Sequence, residues 1–62
     1  MGDYIEPRFF DKGMEVIAPF EGTTGVRCIV VVAAGDRARV VNEARGIDRW
    51  YHRHDLRVEA AE

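Results

Sequence analysis

The sequence predicts one all-β domain: a five-stranded barrel over residues 13–58, a short non-barrel N-terminal arm over 1–12, and an acidic tail over 59–62. Three observations lead there. The apolar residues fall into short runs rich in β-branched side chains, divided by Gly, Asn and Asp at close intervals, and no segment sustains a helical repeat. Sixty-two residues hold a single core, which excludes two-domain enzymes and helical-repeat arrays. A composition 47% hydrophobic and 32% charged supplies enough apolar surface for such a core to fold.

The elements follow in order. Pro7 forbids a helix through the first twelve residues, yet Tyr4, Ile5, Phe9 and Phe10 give this arm more large apolar groups than a disordered lead would carry. It should therefore pack onto a surface, either its own barrel or a partner. Met14 to Ala18 reads as a first strand, and Pro19 to Gly25 as a loop of turn formers. Val26 to Ala34 is the most strand-like segment, with five β-branched residues in nine, and it runs into the hairpin signal Gly35-Asp36. The return strand, Arg37 to Glu43, places Arg37, Arg39 and Val41 on one face and Ala38, Val40 and Asn42 on the other. Arg45-Gly46 turns the chain into a fourth strand, Ile47 to Tyr51. A tight connection, His52 to Asp55, then leads to a short fifth, Leu56 to Val58.

Gly13-Met14-Glu15-Val16 entering the first strand, Gly25-Val26-Arg27 leaving the long loop, and Trp50-Tyr51-His52 followed by Asp55-Leu56 carry a resemblance. Over residues 13–58 the chain resembles small bacterial SH3-like and Tudor-like β-barrels. The resemblance implies that fold and a habit of binding, and no particular function. Type II dihydrofolate reductases use an SH3-like barrel of this size as a tetrameric pore. Their Val-Gln-Ile-Tyr pore segment has no counterpart here, so no catalytic residue is carried over.

The formal net charge of −2 conceals a mild polarity. Asp3, Glu6, Asp11, Glu15 and Glu21 against Arg8 and Lys12 leave residues 1–25 at −3, whereas seven arginines against four acids leave 26–58 at +3. Eight of the nine basic residues are Arg, suited to forked contacts with carboxylates or phosphates. A dedicated nucleic-acid domain is usually more basic than this chain. The longest apolar run, Cys28 to Ala34, is seven residues, against about 20 for a membrane-spanning helix, and no export signal is visible. With one cysteine, Cys28, set in that run as a small buried hydrophobe, the expected setting is cytoplasmic, with no membrane partner.

No cofactor and no catalytic constellation is expected. The chain lacks Ser altogether, and Gly22-Thr23-Thr24-Gly25 lacks the Lys and helix of a phosphate cradle. His52 and His54, with Asp55 or Cys28, lack the paired ligands of a structural zinc site. Binding is the more promising class. Phe20, Trp50 and Tyr51 with Arg49, Arg53 and Arg57 describe an aromatic and arginine surface for a protein partner. A nucleic-acid alternative would track phosphate with Arg27, Arg37, Arg39, Arg45 and Arg49. Cys28, Ile29, Val30, Val31 and Val32 make both faces of one strand apolar, so either the arm or a second copy in a homodimer is expected to cover the outer face. A third reading, from size alone, is a phage or mobile-element protein that blocks a host machine by occupying its surface.

Overall fold

The computed structural model describes residues 4–20, 22 and 24–59. Six strands occur in it: β1 (Tyr4–Ile5), β2 (Glu15–Ala18), β3 (Val26–Ala34), β4 (Arg37–Asn42), β5 (Ile47–His52) and β6 (Val58–Glu59). Two 3₁₀ turns, Glu43–Arg45 and Arg53–Asp55, flank β5, and there is no α-helix among the described residues. Strands β2 to β5 form an antiparallel four-stranded sheet in sequence order, and β1 pairs antiparallel with β6 in a separate two-stranded sheet. The all-β expectation holds. The ladder is not closed into a barrel among the described residues: a single bridge, Ile17 with Arg57, links the β2 edge to the C-terminal segment.

Each connection has a local cause. Ala34 pairs with Arg37, so Gly35 and Asp36 alone turn the chain, and Gly35 takes the positive φ (63°) that matches hairpin twist. Gly25 is required for a different reason. Its φ is 135°, and a Cβ there would lie 2.6 Å from Ile17 Cγ2, so the long loop can meet β2 only where a side chain is missing. Asn42 ends β4 with both ends of its amide engaged. Its Oδ1 accepts the Arg45 N–H at 3.1 Å, capping the 3₁₀ turn, and its Nδ2 donates to the Arg27 carbonyl at 2.8 Å, tying that turn back to β3.

The core is Val16 and Ala18 of β2, Val26, Cys28 and Val30 of β3, Ala38 and Val40 of β4, Ile47, Leu56 and Phe10. Its members recur at every second strand position, as a one-sided sheet requires. On β3 this alternation is broken once. Val30 pairs with Val40 but Val32 pairs with Arg39, leaving Val31 as an extra residue at a bulge. Strand β3 thus combines three inward residues, Val26, Cys28 and Val30, with the outward Ile29, Val31 and Val32.

The arm packs on the body of its own domain. Pro7 and Phe10 are buried, and Tyr4 and Ile5 pair with Glu59 and Val58. Glu6 reaches Arg53 Nη1 at 3.3 Å and His54 Nδ1 at 2.7 Å. Arg53 also lies 3.3 Å from Asp36 Oδ1 and donates its backbone N–H to the Asp36 carbonyl at 2.7 Å. One 3₁₀ turn therefore joins the arm to the tip of the β3–β4 hairpin. The segment expected as a fifth barrel strand splits its duties: Leu56 fills the core, Arg57 bridges to β2, and Val58 turns to the arm.

Candidate functional site

The outward face of the four-stranded sheet is built from two registered rows. Glu15, Ile29, Val41 and Asp48 lie opposite one another across β2 to β5, and Val32, Arg39 and Trp50 do so across β3 to β5. The bulge adds Val31 beside Val32. The result is an apolar strip that no described residue covers fully: Trp50 is 53% exposed, Val32 39% and Ile29 38%, with Val31 and Val41 half-buried between them. Single exposed apolar residues are ordinary, but contiguous ones on a rigid sheet mark a contact surface.

Charges frame this strip and largely neutralise one another. Arg39 grips Asp48 with two parallel bonds, Nε to Oδ1 at 2.7 Å and Nη2 to Oδ2 at 2.6 Å. Those bonds hold the Asp48 carboxyl below its usual range and raise the Arg39 guanidinium further. Both groups remain about half exposed, so the pair fixes geometry more than it stabilises the fold. At the opposite corner Arg27 lies 3.5 Å from Glu15.

The expected aromatic and arginine surface divides between two sides of the sheet. Trp50 stands on the outer face with Arg39. Arg49 and Tyr51, its neighbours in sequence, point the other way, as alternation demands. There the Arg49 guanidinium carbon sits 5.6 Å from the Phe20 ring centroid, and Tyr51 Oη donates to the Pro19 carbonyl at 3.3 Å. Phe20, Arg49 and Tyr51 are thus brought together, while Trp50 is not among them. Arg53 belongs to neither group, since it is engaged with Glu6 and Asp36. Arg57 donates through Nη1 to the His54 and Leu56 carbonyls, both at 2.7 Å.

The arginines of the nucleic-acid reading are dispersed. Arg27 and Arg39 face their own carboxylates, Arg37 lies opposite His52, and Arg45 sits in the turn beyond β4. Of the residues considered for self-association, Ile29, Val31 and Val32 reach the outer face, whereas Cys28 and Val30 are core residues. Burial pushes the Cys28 thiol up, away from thiolate chemistry. His52 and His54 stack with ring centroids 4.4 Å apart. His52 Nδ1 accepts the His54 backbone N–H at 3.2 Å and so serves as a turn cap. Among the described residues no three His, Cys, Asp or Glu side chains gather as a metal site. In the 22–25 loop, Thr23 lies outside the described residues, and Gly22 and Gly25 take the positive φ of a turn.

Sequence reasoning missed Val41, Asn42 and Glu6 as contributors. Val41 was detectable, because it alternates with Arg37 and Arg39 and must share their face. Glu6 had no signal, since its partners lie 47 and 48 positions away.

Fold and surface together define a small all-β domain with one sheet face packed and the other part apolar and open. No helix among the described residues is long and apolar enough to cross a membrane. Comparisons with protein families, with characterised proteins and with solved structures found no match for this chain.

Proposed function

We propose that the chain is a small, non-catalytic, cytoplasmic binding module of the SH3-like kind that acts through a protein contact. Support for the SH3-like reading comes from the β2–β3–β4–β5 meander, the 3₁₀ turn after β5, and the Arg57 bridge back to β2. The observation that carries the functional reading is the position of Trp50, Val32 and Ile29 on one open sheet face, with Arg39 pinned between Trp50 and Val32. An exposed Trp on a rigid strand, flanked by valines and an ordered guanidinium, has the make-up of an interface anchor. A second copy of the chain is one partner this face could take.

The discriminating experiment places a photo-reactive side chain at Val32. The protein-contact reading expects protein adducts whose yield tolerates salt and falls with Trp50→Ala, while circular dichroism stays that of the parent. Adducts to RNA or DNA that vanish as salt rises would replace it with the phosphate-tracking reading through Arg27, Arg37, Arg39 and Arg45.

A further inference from the structure

The four-stranded sheet is finished differently at its two edges. At β2, Ile17 exchanges backbone hydrogen bonds with Arg57 at 2.7 and 3.0 Å. At β5 the edge is open. Arg53 donates its N–H to the Asp36 carbonyl, and counting along the β4–β5 register from that bond makes Ala38 with Tyr51, Val40 with Arg49 and Asn42 with Ile47 the hydrogen-bonded pairs. Asp48, Trp50 and His52 therefore aim their N–H and C=O groups away from β4, and among the described residues no backbone hydrogen bond joins them to another segment. Asp48, Arg49 and Trp50 are all exposed, and the strand carries no Pro, Lys or bulge to spoil further pairing. Such an edge is a template for another strand.

The order of side chains along β5 chooses the occupant. Two copies meeting antiparallel about a two-fold axis, bonded through Asp48, Trp50 and His52, have only two registers that engage most of the strand. One sets Asp48 against Trp50 and places Arg49 opposite Arg49, in the non-hydrogen-bonded position where side chains stand closest. Arg49 makes no ion pair among the described residues, so nothing there offsets the repulsion. The other sets Trp50 against Trp50 on the axis, Arg49 against Tyr51 and Asp48 against His52, and no like charges meet in it. The indoles pack together and the guanidinium lies beside a phenol ring. Asp48 is still about half exposed beside Arg39, and the imidazole it meets accepts the His54 N–H at Nδ1, which leaves Nε2 as the donor nitrogen. We propose that β5 pairs antiparallel with β5 of a second copy in this register, joining the two four-stranded sheets into one with Trp50 of each copy at the axis. The inference goes beyond the outer-face reading and does not rest on it, because the edge bonds through backbone groups and the face through side chains.

The test is sedimentation equilibrium of the full chain from micromolar to millimolar concentration, with amide exchange followed by NMR over the same range. The expected result is a monomer–dimer equilibrium in which the Asp48 and Trp50 amides, unprotected in dilute solution, gain protection tenfold or more as the dimer forms, whereas Arg49 and Tyr51 are protected throughout by β4. Trp50→Pro removes an N–H that the monomer does not use and should abolish the dimer. His52→Asp keeps an acceptor for the His54 N–H but opposes Asp48 with a like charge, and should weaken dimerisation roughly fivefold to tenfold. A dispersed spectrum checks the fold of each variant, and His52→Asp carries the test if Trp50→Pro does not fold. A monomer at every concentration, a dimer with the Asp48 and Trp50 amides still unprotected, or a dimer that His52→Asp leaves unweakened would each overturn the proposal. So would protection at Asp48 and Trp50 that comes only on adding an alternating Thr/Val peptide, which would give the edge to a foreign strand. None of these outcomes bears on adducts from Val32 to other proteins, so the edge and the outer face fail separately.

Discussion

Strand β3 presents the same chemistry to two sides. Inward, Val26, Cys28 and Val30 are buried; outward, Ile29, Val31 and Val32 stay partly open beside Trp50. Residue type cannot explain the difference, because valines stand on both sides of the bulge. What separates them is the partner across the strand: Val30 meets Val40, whereas Val32 meets Arg39. Apolar residues on the packed face hold the fold, and those on the open face are available for contact.

The most severe test on the packed side is Leu56→Ala. Leu56 is the largest fully buried side chain, and its truncation should cost about 2–5 kcal/mol. A domain of this size has little more than that in reserve, so thermal and urea melts should find the variant largely unfolded at room temperature. The sharpest single comparison makes one chemical change on each face. Val30→Ala should cost about 2 kcal/mol, while Val32→Ala should stay within about 0.5 kcal/mol, both read from urea midpoints. Equal losses would mean that the outer valine is structural, and the two-sided view of β3 would fail.

Asn42→Ala tests whether the frame of the outer face is built from β4. It removes the cap on the Arg45 N–H and the bond to the Arg27 carbonyl together, and should lower stability by about 1–2 kcal/mol. Hydrogen exchange should quicken at the Glu43–Arg45 turn. The mildest perturbation is acid, which releases the Glu6 contacts of the arm and, on the outer face, the Arg39–Asp48 pair. The His54 hydrogen bond, aided by the charges of Arg53 and Arg57, holds the Glu6 carboxyl below its usual range. A lowered folded-state value means that the contribution is complete above the ordinary carboxylate range and is lost as pH falls through the lowered one. The protection of the Ile5 and Val58 amides, relative to their intrinsic exchange rates, should therefore fall toward acid pH in the parent. Glu6→Gln should flatten that dependence, and exchange at Val30 should not follow it.

Much of the fold was legible in residues 26–52. The β-branched run, Gly35-Asp36 and the alternation of Arg37, Arg39 and Val41 each state their local structure, and β3, β4 and β5 lie where those signals put them. The bulge was not legible, because inserting one valine among three leaves no mark in composition. The division of Phe20 and Tyr51 from Trp50 was only half legible. Alternation requires Trp50 and Tyr51 to oppose each other, but the side each takes depends on Ile47 being the core residue of β5. The arm was least legible. Tyr4 and Ile5 find partners in Glu59 and Val58, and a pairing across nearly the whole chain has no local signature.

That pairing has a consequence for how such a domain can be carried. Tyr4 and Glu59 face each other as antiparallel partners, so the incoming and outgoing strands stand about 5 Å apart. A few glycines can join them, and new ends opened at the Gly35-Asp36 hairpin would give a circular permutant with every β1–β6 contact preserved. Equally, another protein can display the domain from one of its surface loops, provided the two attachment points lie no farther apart than neighbouring strands.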